Sequence, residues 1–205
     1  MGGLVSKLQV TDSGTELWDL VADRPLEAIN ADEADRERLR ETFFFTPQPY
    51  VRKVIFIGTP HRGSSFAADA VGRVSSWAAK LTTEADARHR RLVADNPGVF
   101  NPWIVRKVPT SVDLLRPNHP LLQTIEKLPV ASDVQLHSII GVADTDRTDG
   151  PGDGVVPLTS ARHRGVTSEK LVSETHQGLH EAATTAIEIE RILERHLRDC
   201  DHLFV

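Results

Sequence analysis

The stretch VRKVIFIGTP, residues 51–60, decides the fold class of this chain. Its centre, Val54 to Ile57, is a compact run of β-branched and aromatic residues, and Gly58 and Pro60 close it. A short apolar run bounded by turn residues predicts a strand that is buried on both faces. Strands of this kind are typical of parallel sheets, whose connections are usually helices. We therefore expect an α/β fold.

Two further strands fit the same pattern. VQLHSIIGV (134–142) is again an apolar run that ends at glycine, and SEKLVSE (168–174) predicts a third, shorter strand. Helical spacing of apolar residues predicts helices at 4–10, 17–21, 66–81, 119–128 and 181–198. Strands that alternate with helices predict a short parallel sheet of three strands with flanking helices.

Three other segments carry weaker expectations. The last helix should bury one apolar face, formed by Ala182, Ala186, Ile189, Leu193 and Leu197. The charged segment 27–41 predicts a solvated helix face or a mobile insertion. The segment 96–118 is rich in proline and asparagine, so it predicts irregular structure.

Composition sets broad limits on function. The chain has 205 residues, of which 40% are hydrophobic and 26% charged, values that are ordinary for one globular domain. A net charge of -5 gives no electrostatic case for binding nucleic acid. Cys200 is the single cysteine, which excludes an internal disulfide. We see neither an apolar run long enough to span a bilayer nor the layout of a signal peptide, and the compartment is left unassigned.

Candidate functional residues follow the predicted strands. In open parallel sheets, functional groups collect in the loops after the carboxyl ends of the strands. Asp153, in GDGVVP, could orient an imidazole through a charge-assisted hydrogen bond, or it could bond only the amides of its own turn. His176, in ETHQGLH, could act as a general base, or it could simply be solvated.

Other polar residues in these loops compete for such roles. His61 could donate into a cleft or bond the backbone of its loop, and Ser64 and Ser65 are typical of caps for the following helix. His180 falls in the predicted first turn of the last helix, where an imidazolium opposes the helix dipole. A metal site on His176 and His180 is disfavoured, since a glycine between them opposes the helix that their spacing requires. We expect no metal and no cofactor.

Five stretches, taken in order, resemble the second half of a lipase- or esterase-type α/β-hydrolase. They are VIFIGTPHRGSSFA, TSVDLLRPNHPLLQTIEKLP, LHSIIGV, GDGVVPLTSARHRGVTSEKLV and THQGLH with the later AIEIERILERHL. The bacterial lipase-like group related to GPI inositol-deacylases is the nearest. The resemblance covers nearly all of residues 1–205, most weakly 12–48, and implies the C-terminal part of one domain. It also implies a helical cap insertion over about 66–128.

The resemblance implies a role for several residues. Asp153 matches the acid of the catalytic triad and His176 its base, while His61 matches a loop beside the active site and is a candidate for substrate binding. Trp77, Phe100 and Trp103 would either line the acyl or alcohol pocket of the cap or serve in packing.

The nucleophile of this family lies in a G-x-S-x-G motif. The start of this chain, Met1-Gly2-Gly3-Leu4, matches the residues that follow the serine, so Met1 is a candidate for the oxyanion-binding position. We expect Met1 to be internal to a longer parent, a serine ester hydrolase acting on an ester of a hydrophobic acid or alcohol. Asp153 and His176 alone should be inactive.

Two other functions stay open at this point. The chain could be a non-catalytic binding or assembly module derived from a hydrolase half, or an enzyme that uses Ser64 or Ser65. A three-stranded sheet would also leave one edge unpaired, and such an edge promotes association. We expect binding to an N-terminal half or to a second copy through that edge. The other expected partner is a small-molecule or lipid ester substrate.

Overall fold

The structure is a computed structural model, and it describes residues 1–65, 83–106, 111–143 and 150–201. The helix predicted over 66–81, with Trp77, lies outside these ranges. Three strands form one sheet: β1 (Lys53–Ile57), β2 (Gln135–Gly141) and β3 (Ser168–Val172). They are parallel, in the order β1-β2-β3. The predicted fold class, a short parallel sheet with flanking helices, is confirmed.

The helices precede, connect and follow these strands. They are α1 (Gly2–Leu8), α2 (Glu16–Asp19), α3 (Glu33–Phe43), α4 (Thr83–Asp95), α5 (Pro102–Arg106), α6 (Ser111–Leu114), α7 (Pro120–Lys127), α8 (Leu158–Ala161) and α9 (Ala183–Asp201), with a 3₁₀ turn at Leu26–Ala28. The expectation of irregular structure over 96–118 is wrong for α5 and α6. Pro102 occupies the first turn of α5, where its missing N–H costs no hydrogen bond. Among the described residues, no helix is long and apolar enough to cross a membrane.

Helix α1 runs from one end of the sheet to the other. At its start, Gly3 lies against the loop after β1, and a Cβ on this residue would come within 2.0 Å of Thr59 Oγ1. After its end, Val10 is buried with Val54 near the start of β1, and its carbonyl accepts a bond from Ala131, just before β2. The start of α1 therefore belongs to the carboxyl end of the sheet.

The charged segment after α2 is anchored to the rest of the chain. Asp32 caps α3 by accepting a bond from the amide of Asp35 at 2.8 Å. The carboxylate of Asp35 is buried and pairs with Arg88 and Arg91 on α4, at 3.3 and 2.6 Å. Buried carboxylates require such partners. The sequence predicts a solvated face or a mobile insertion for this segment. The structure shows that one of its acids, Asp35, also joins α3 to α4.

Helix α9 buries a different face from the predicted one. Its buried residues are Thr185, Glu188 and Ile192, whereas Leu193 and Leu197 are 48% and 64% exposed. In this orientation Glu188 binds Arg191, whose guanidinium reaches Ser168 of β3 at 3.5 Å. Turning the predicted face inward would move this polar group away from β3.

The predicted apolar face becomes a flank of α9, formed by Ala182, Ala186, Ile189, Leu193 and Leu197. Ala182, just before the helix, and Ile189 pack against Ile139 of β2, Val172 of β3 and Leu179. Near the end of the helix, Asp199 lies 3.9 Å from Lys53 on β1. Helix α9 therefore packs on β2 and β3 through Ile189 and approaches β1 near its end.

Candidate functional site

The turn after β2 holds Asp153 in one orientation. Its Oδ1 accepts hydrogen bonds from the amides of Val155 and Val156, at 2.9 and 2.6 Å. The side chain is 1% exposed. Bonding to local amides, one of the two roles that the sequence allows for Asp153, uses only one carboxylate oxygen. The second oxygen is directed at another loop.

His176 meets that second oxygen. Its Nδ1 lies 2.7 Å from Asp153 Oδ2, and its backbone amide donates to the Asp153 carbonyl at 2.8 Å. The loop after β3 is thereby tied at two points to the turn after β2, and the orientation of the ring follows from both bonds. The imidazole is 38% exposed, so one side of it faces solvent.

This contact determines which nitrogen of His176 carries hydrogen. A carboxylate only accepts, so Nδ1 must be the donor. In the neutral ring, Nε2 then holds the free electron pair, which is the arrangement a general base needs. The pair Asp153–His176 can therefore take up a proton at Nε2 and stabilise the resulting imidazolium.

Two glycines at the ends of strands make room for the pair. Gly58, directly after β1, has a φ of +55°, and a Cβ there would lie 3.2 Å from His176 Nδ1. Gly141, at the end of β2, would place a Cβ 2.7 Å from the Cβ of Asp153. The glycine that closes each of these strands thus allows the acid and the base to pack against the sheet edge.

His61, a candidate for substrate binding, lies elsewhere. Its side chain is buried, 2% exposed, and its ring packs edge-on against Phe56 and His163, with centroids 4.7 and 4.8 Å apart. In this structure the ring faces the interior, and the predicted contact with substrate stays a prediction.

His61, His163 and Lys7 form a buried cluster that the sequence does not indicate. Neither histidine has a hydrogen bond of normal geometry to its ring nitrogens among the described residues. Burial, with the cationic neighbours, lowers the pKa of His61 to about 3 and that of His163 to about 4. Lys7 is buried on α1 and donates to the Glu126 carbonyl at 3.1 Å, and burial lowers its pKa to about 8.

Ser64 and His180 are two further polar candidates, and the helix that Ser64 is predicted to cap lies outside the described residues. Ser64 is buried and donates to the Val155 carbonyl, so it ties the loop after β1 to the Asp153 turn. His180 precedes α9 instead of lying in its first turn; it is 65% exposed and lies 3.6 Å from Glu181. Within the described ranges, no group of three or more histidine, cysteine or acidic side chains could hold a metal ion.

The other candidates lie at the start of the chain and in the region predicted as a cap. Met1 precedes α1, and its carbonyl accepts bonds from the amides of Leu4 and Val5 at 3.0 and 3.3 Å. Phe100 is buried beside Trp18, and the ring of Trp103 stands edge-on to His119, with centroids 5.4 Å apart. The pocket roles of both aromatic residues stay predictions.

Comparisons with known proteins give one structural likeness. No protein-family model matches the chain, and no curated protein matches it. Among solved structures, the mature form of the lipase BlEst2 from Bacillus licheniformis is similar, at 19% sequence identity and a TM-score of 0.43. The match covers 70% of this chain and 55% of the lipase, so the chain spans about half the length of that structure. A likeness at this level assigns no family.

Proposed function

We propose that this chain is the acid–base half of a serine carboxylester hydrolase with an α/β-hydrolase fold. The observation that carries the proposal is the bond of 2.7 Å between Asp153 Oδ2 and His176 Nδ1, at the carboxyl end of the sheet. A buried carboxylate held by two amides, beside a half-exposed imidazole, is the arrangement of the acid and base in a Ser-His-Asp triad. The motif resemblance further suggests the lipase-like group related to GPI inositol-deacylases.

In the proposed reaction, His176 moves the protons and Asp153 stabilises its charge. Nε2 takes the serine proton as the serine oxygen attacks the acyl carbon of the ester. The imidazolium then gives this proton to the leaving alcohol, and an acyl-enzyme results. A water molecule attacks in the second half, with the same proton transfers, and releases the acid and the free serine. The bond from Nδ1 to Asp153 holds the ring in place throughout.

We further propose that the serine directly precedes Met1. Gly3 of α1 lies against Thr59, since a Cβ there would overlap it, and a Cβ on the neighbouring Gly58 would lie 3.2 Å from His176 Nδ1 and 3.3 Å from Asp153 Oδ2. A residue just before Met1 would therefore lie close to the imidazole of His176. In this arrangement Met1 would follow the nucleophile, and its amide would bind the oxyanion. The cap over 66–128 would receive the hydrophobic acid or alcohol.

The DNA upstream of the Met1 codon is the first test. We expect it to encode Gly-X-Ser in frame, directly before Met1. A stop codon or an unrelated sequence at that position would remove the proposed nucleophile.

The second test uses the chain together with this upstream sequence and follows hydrolysis of p-nitrophenyl butyrate. We expect His176→Ala and Asp153→Asn each to lower kcat/KM by about 10³-fold or more. His180→Ala is the matched control, because this exposed histidine lies four residues away and does not contact Asp153. It should change kcat/KM less than twofold. Equal losses in all three variants, or activity without His176, would contradict the proposal.

A fluorophosphonate probe tests whether Ser64 or Ser65 is the nucleophile instead of the serine proposed before Met1. The probe labels an activated serine, and we expect the label on the serine before Met1. Ser64 is buried and its hydroxyl is engaged by Val155, which argues against its attack on a substrate. A label on Ser64 or Ser65 would assign the nucleophile to the loop after β1 instead.

A non-catalytic assembly module is the second candidate function, and the apolar flank of α9 favours it. Leu193 and Leu197 of this flank are exposed, and β1 pairs only with β2 among the described residues. An open strand edge and exposed leucines are both features that a second copy of the chain could cover. Light scattering with size exclusion should then show a dimer, and Leu193→Lys should favour the monomer.

Ile187→Lys is the control for this test. Ile187 is 64% exposed, and it lies about 120° around the helix axis from Leu193. We expect this variant to keep the dimer. A chain that stays monomeric across the accessible concentration range would contradict the assembly module and leave the hydrolase proposal untouched.

A further inference from the structure

A partly open cavity of about 190 Å³ lies among helices α2 to α5. It is lined by Trp18, Val21, Leu39, Phe43, His89, Leu92, Phe100 and Ile104. The walls thus come from α2, α3, α4, α5 and the segments beside them. Seven of the eight lining residues are apolar, and three carry aromatic rings.

His89 is the polar side chain in this wall. Its Nε2 lies 3.0 Å from the carbonyl of Ile104, which can only accept, so this nitrogen is the donor and Nδ1 is the acceptor. A buried water needs two to four polar partners, and a wall with so few polar atoms holds water poorly. The site therefore favours an apolar occupant over water.

The aromatic walls are arranged around Trp18. Its ring stands edge-on to Phe43 and to Phe100, with centroids 5.5 and 6.5 Å apart. Mixed orientations of neighbouring rings present both faces and edges to a guest, and a bound ring can then make offset or edge-to-face contacts. These contacts add to the burial of apolar surface.

The cavity and the acid–base pair belong to different parts of the apolar core. Trp18, Val21 and Phe100 of the walls lie in the cluster with Val99. Leu179, which lies beside Gly58 and Gly141 near His176, belongs to the cluster with Ile139 and Val172.

We propose that this cavity is a binding site for a small apolar ligand, of the size of one aromatic ring or a short alkyl chain. Its volume supports this size, because an engineered apolar cavity of about 150 Å³ in another protein binds benzene and xenon. Four lining residues, His89, Leu92, Phe100 and Ile104, lie within the proposed cap over 66–128. The test of this inference measures binding and needs no ester hydrolysis, so it can fail or succeed independently of the hydrolase proposal.

Toluene is the probe for the experiment, with the full chain. Binding to the folded state raises the thermal midpoint, and toluene at about ten times its Kd should raise it by about 3–6 °C. Amide chemical-shift changes should be confined to the walls, α2 to α5. Leu39→Phe on α3 and Leu92→Phe on α4 fill the cavity from two sides, and each should abolish the shift.

Leu158→Phe is the matched control, because Leu158 is a half-buried helical leucine in a cluster that contains none of the cavity walls. This variant should keep the full toluene shift. No shift in the unmodified chain, a full toluene shift retained in the filled variants, or chemical-shift changes centred near His176 would each overturn the proposal. Two filling variants are used so that one remains informative if the other does not fold.

Discussion

The Asp153–His176 pair and the His61–His163 pair have opposite surroundings. His176 is half-exposed and bound through Nδ1 to a buried carboxylate, whereas His61 and His163 are buried against each other and Phe56. The first ring can gain a proton and keep a partner for its charge. Neither ring of the second pair makes a hydrogen bond of normal geometry through its nitrogens among the described residues, so protonation there has to overcome burial.

The contrast teaches that residue type alone does not make a proton-transfer site. An imidazole becomes useful when a fixed acceptor orients one nitrogen and the other stays accessible. Without these two features, the same ring acts as packing material of the interior, and its pKa falls far below the ordinary value of 6.5. Changes of pH and single substitutions can alter one of the two pairs at a time.

Lowering the pH should have the largest effect on the free energy of unfolding, and it acts through the buried pair His61–His163. The folded-state pKa values of His61 and His163 are about 3 and about 4, below the unfolded value of 6.5. Between these values the unfolded chain binds more protons, so the free energy of unfolding falls as the pH falls. From pH 6.5 to 4 we expect a loss of about 3 kcal/mol per ring.

Urea unfolding at pH 7, 5.5 and 4 measures this loss. His180→Ala should leave the pH dependence unchanged, because this histidine is exposed. A free energy of unfolding that stays constant from pH 7 to 4 would show that the two buried rings are solvated in solution.

Removing the carboxylate of Asp153 should have the next largest effect, and it acts on the other pair. Asp153→Ala leaves the amides of Val155 and Val156 and the Nδ1–H of His176 without their acceptor. Leaving a buried donor unsatisfied costs about 1–3 kcal/mol. Only the Val156 bond is fully buried, and water can partly replace the acceptor at the other two, so we expect a total loss of about 2–3 kcal/mol. Urea unfolding at pH 7 measures this change.

Asp133→Ala is the comparison for Asp153→Ala. Asp133 pairs with Arg52 at 2.6 Å, but both side chains are more than half exposed, and such pairs contribute about 1 kcal/mol or less. Similar losses of unfolding free energy in the two variants would mean that burial does not strengthen the hydrogen bonds of Asp153.

Local sequence pattern was sufficient to predict the sheet and the candidate pair. Each predicted strand corresponds to an observed one, and Asp153 and His176 stand out because each follows a strand in a loop rich in turn residues. Parallel strands bring such loops to one edge, which is a topological consequence that the pattern already contains.

Contacts between distant segments could not be predicted in this way. His163 lies in a loop before β3, and no local signal indicates that its ring meets His61 across the structure. The sequence of α9 has an apolar periodicity, but this pattern does not indicate which neighbouring element covers the apolar flank. Ile192 and the polar group of Glu188 and Arg191 determine the orientation of the helix instead.

His61→Phe should have the smallest effect at neutral pH. The ring packs edge-on against Phe56, and its nitrogens contribute no hydrogen bond of normal geometry, so phenylalanine keeps the shape and removes two buried polar atoms. The backbone bond from the His61 amide to the Ser160 carbonyl, at 3.0 Å, is independent of the side chain. We expect a change within about 1 kcal/mol at pH 7, toward greater stability.

The same variant should remove about half of the acid sensitivity, since one of the two buried bases is gone. His176→Phe is the counterpart, because it leaves the buried carboxylate of Asp153 without its ring partner and should destabilise the fold at pH 7. Urea unfolding of both variants at pH 7 and 4.5 separates the two environments. If His61→Phe were as destabilising as His176→Phe, the nitrogens of His61 would have to make bonds in solution, and His61 would again be a candidate for the functional site.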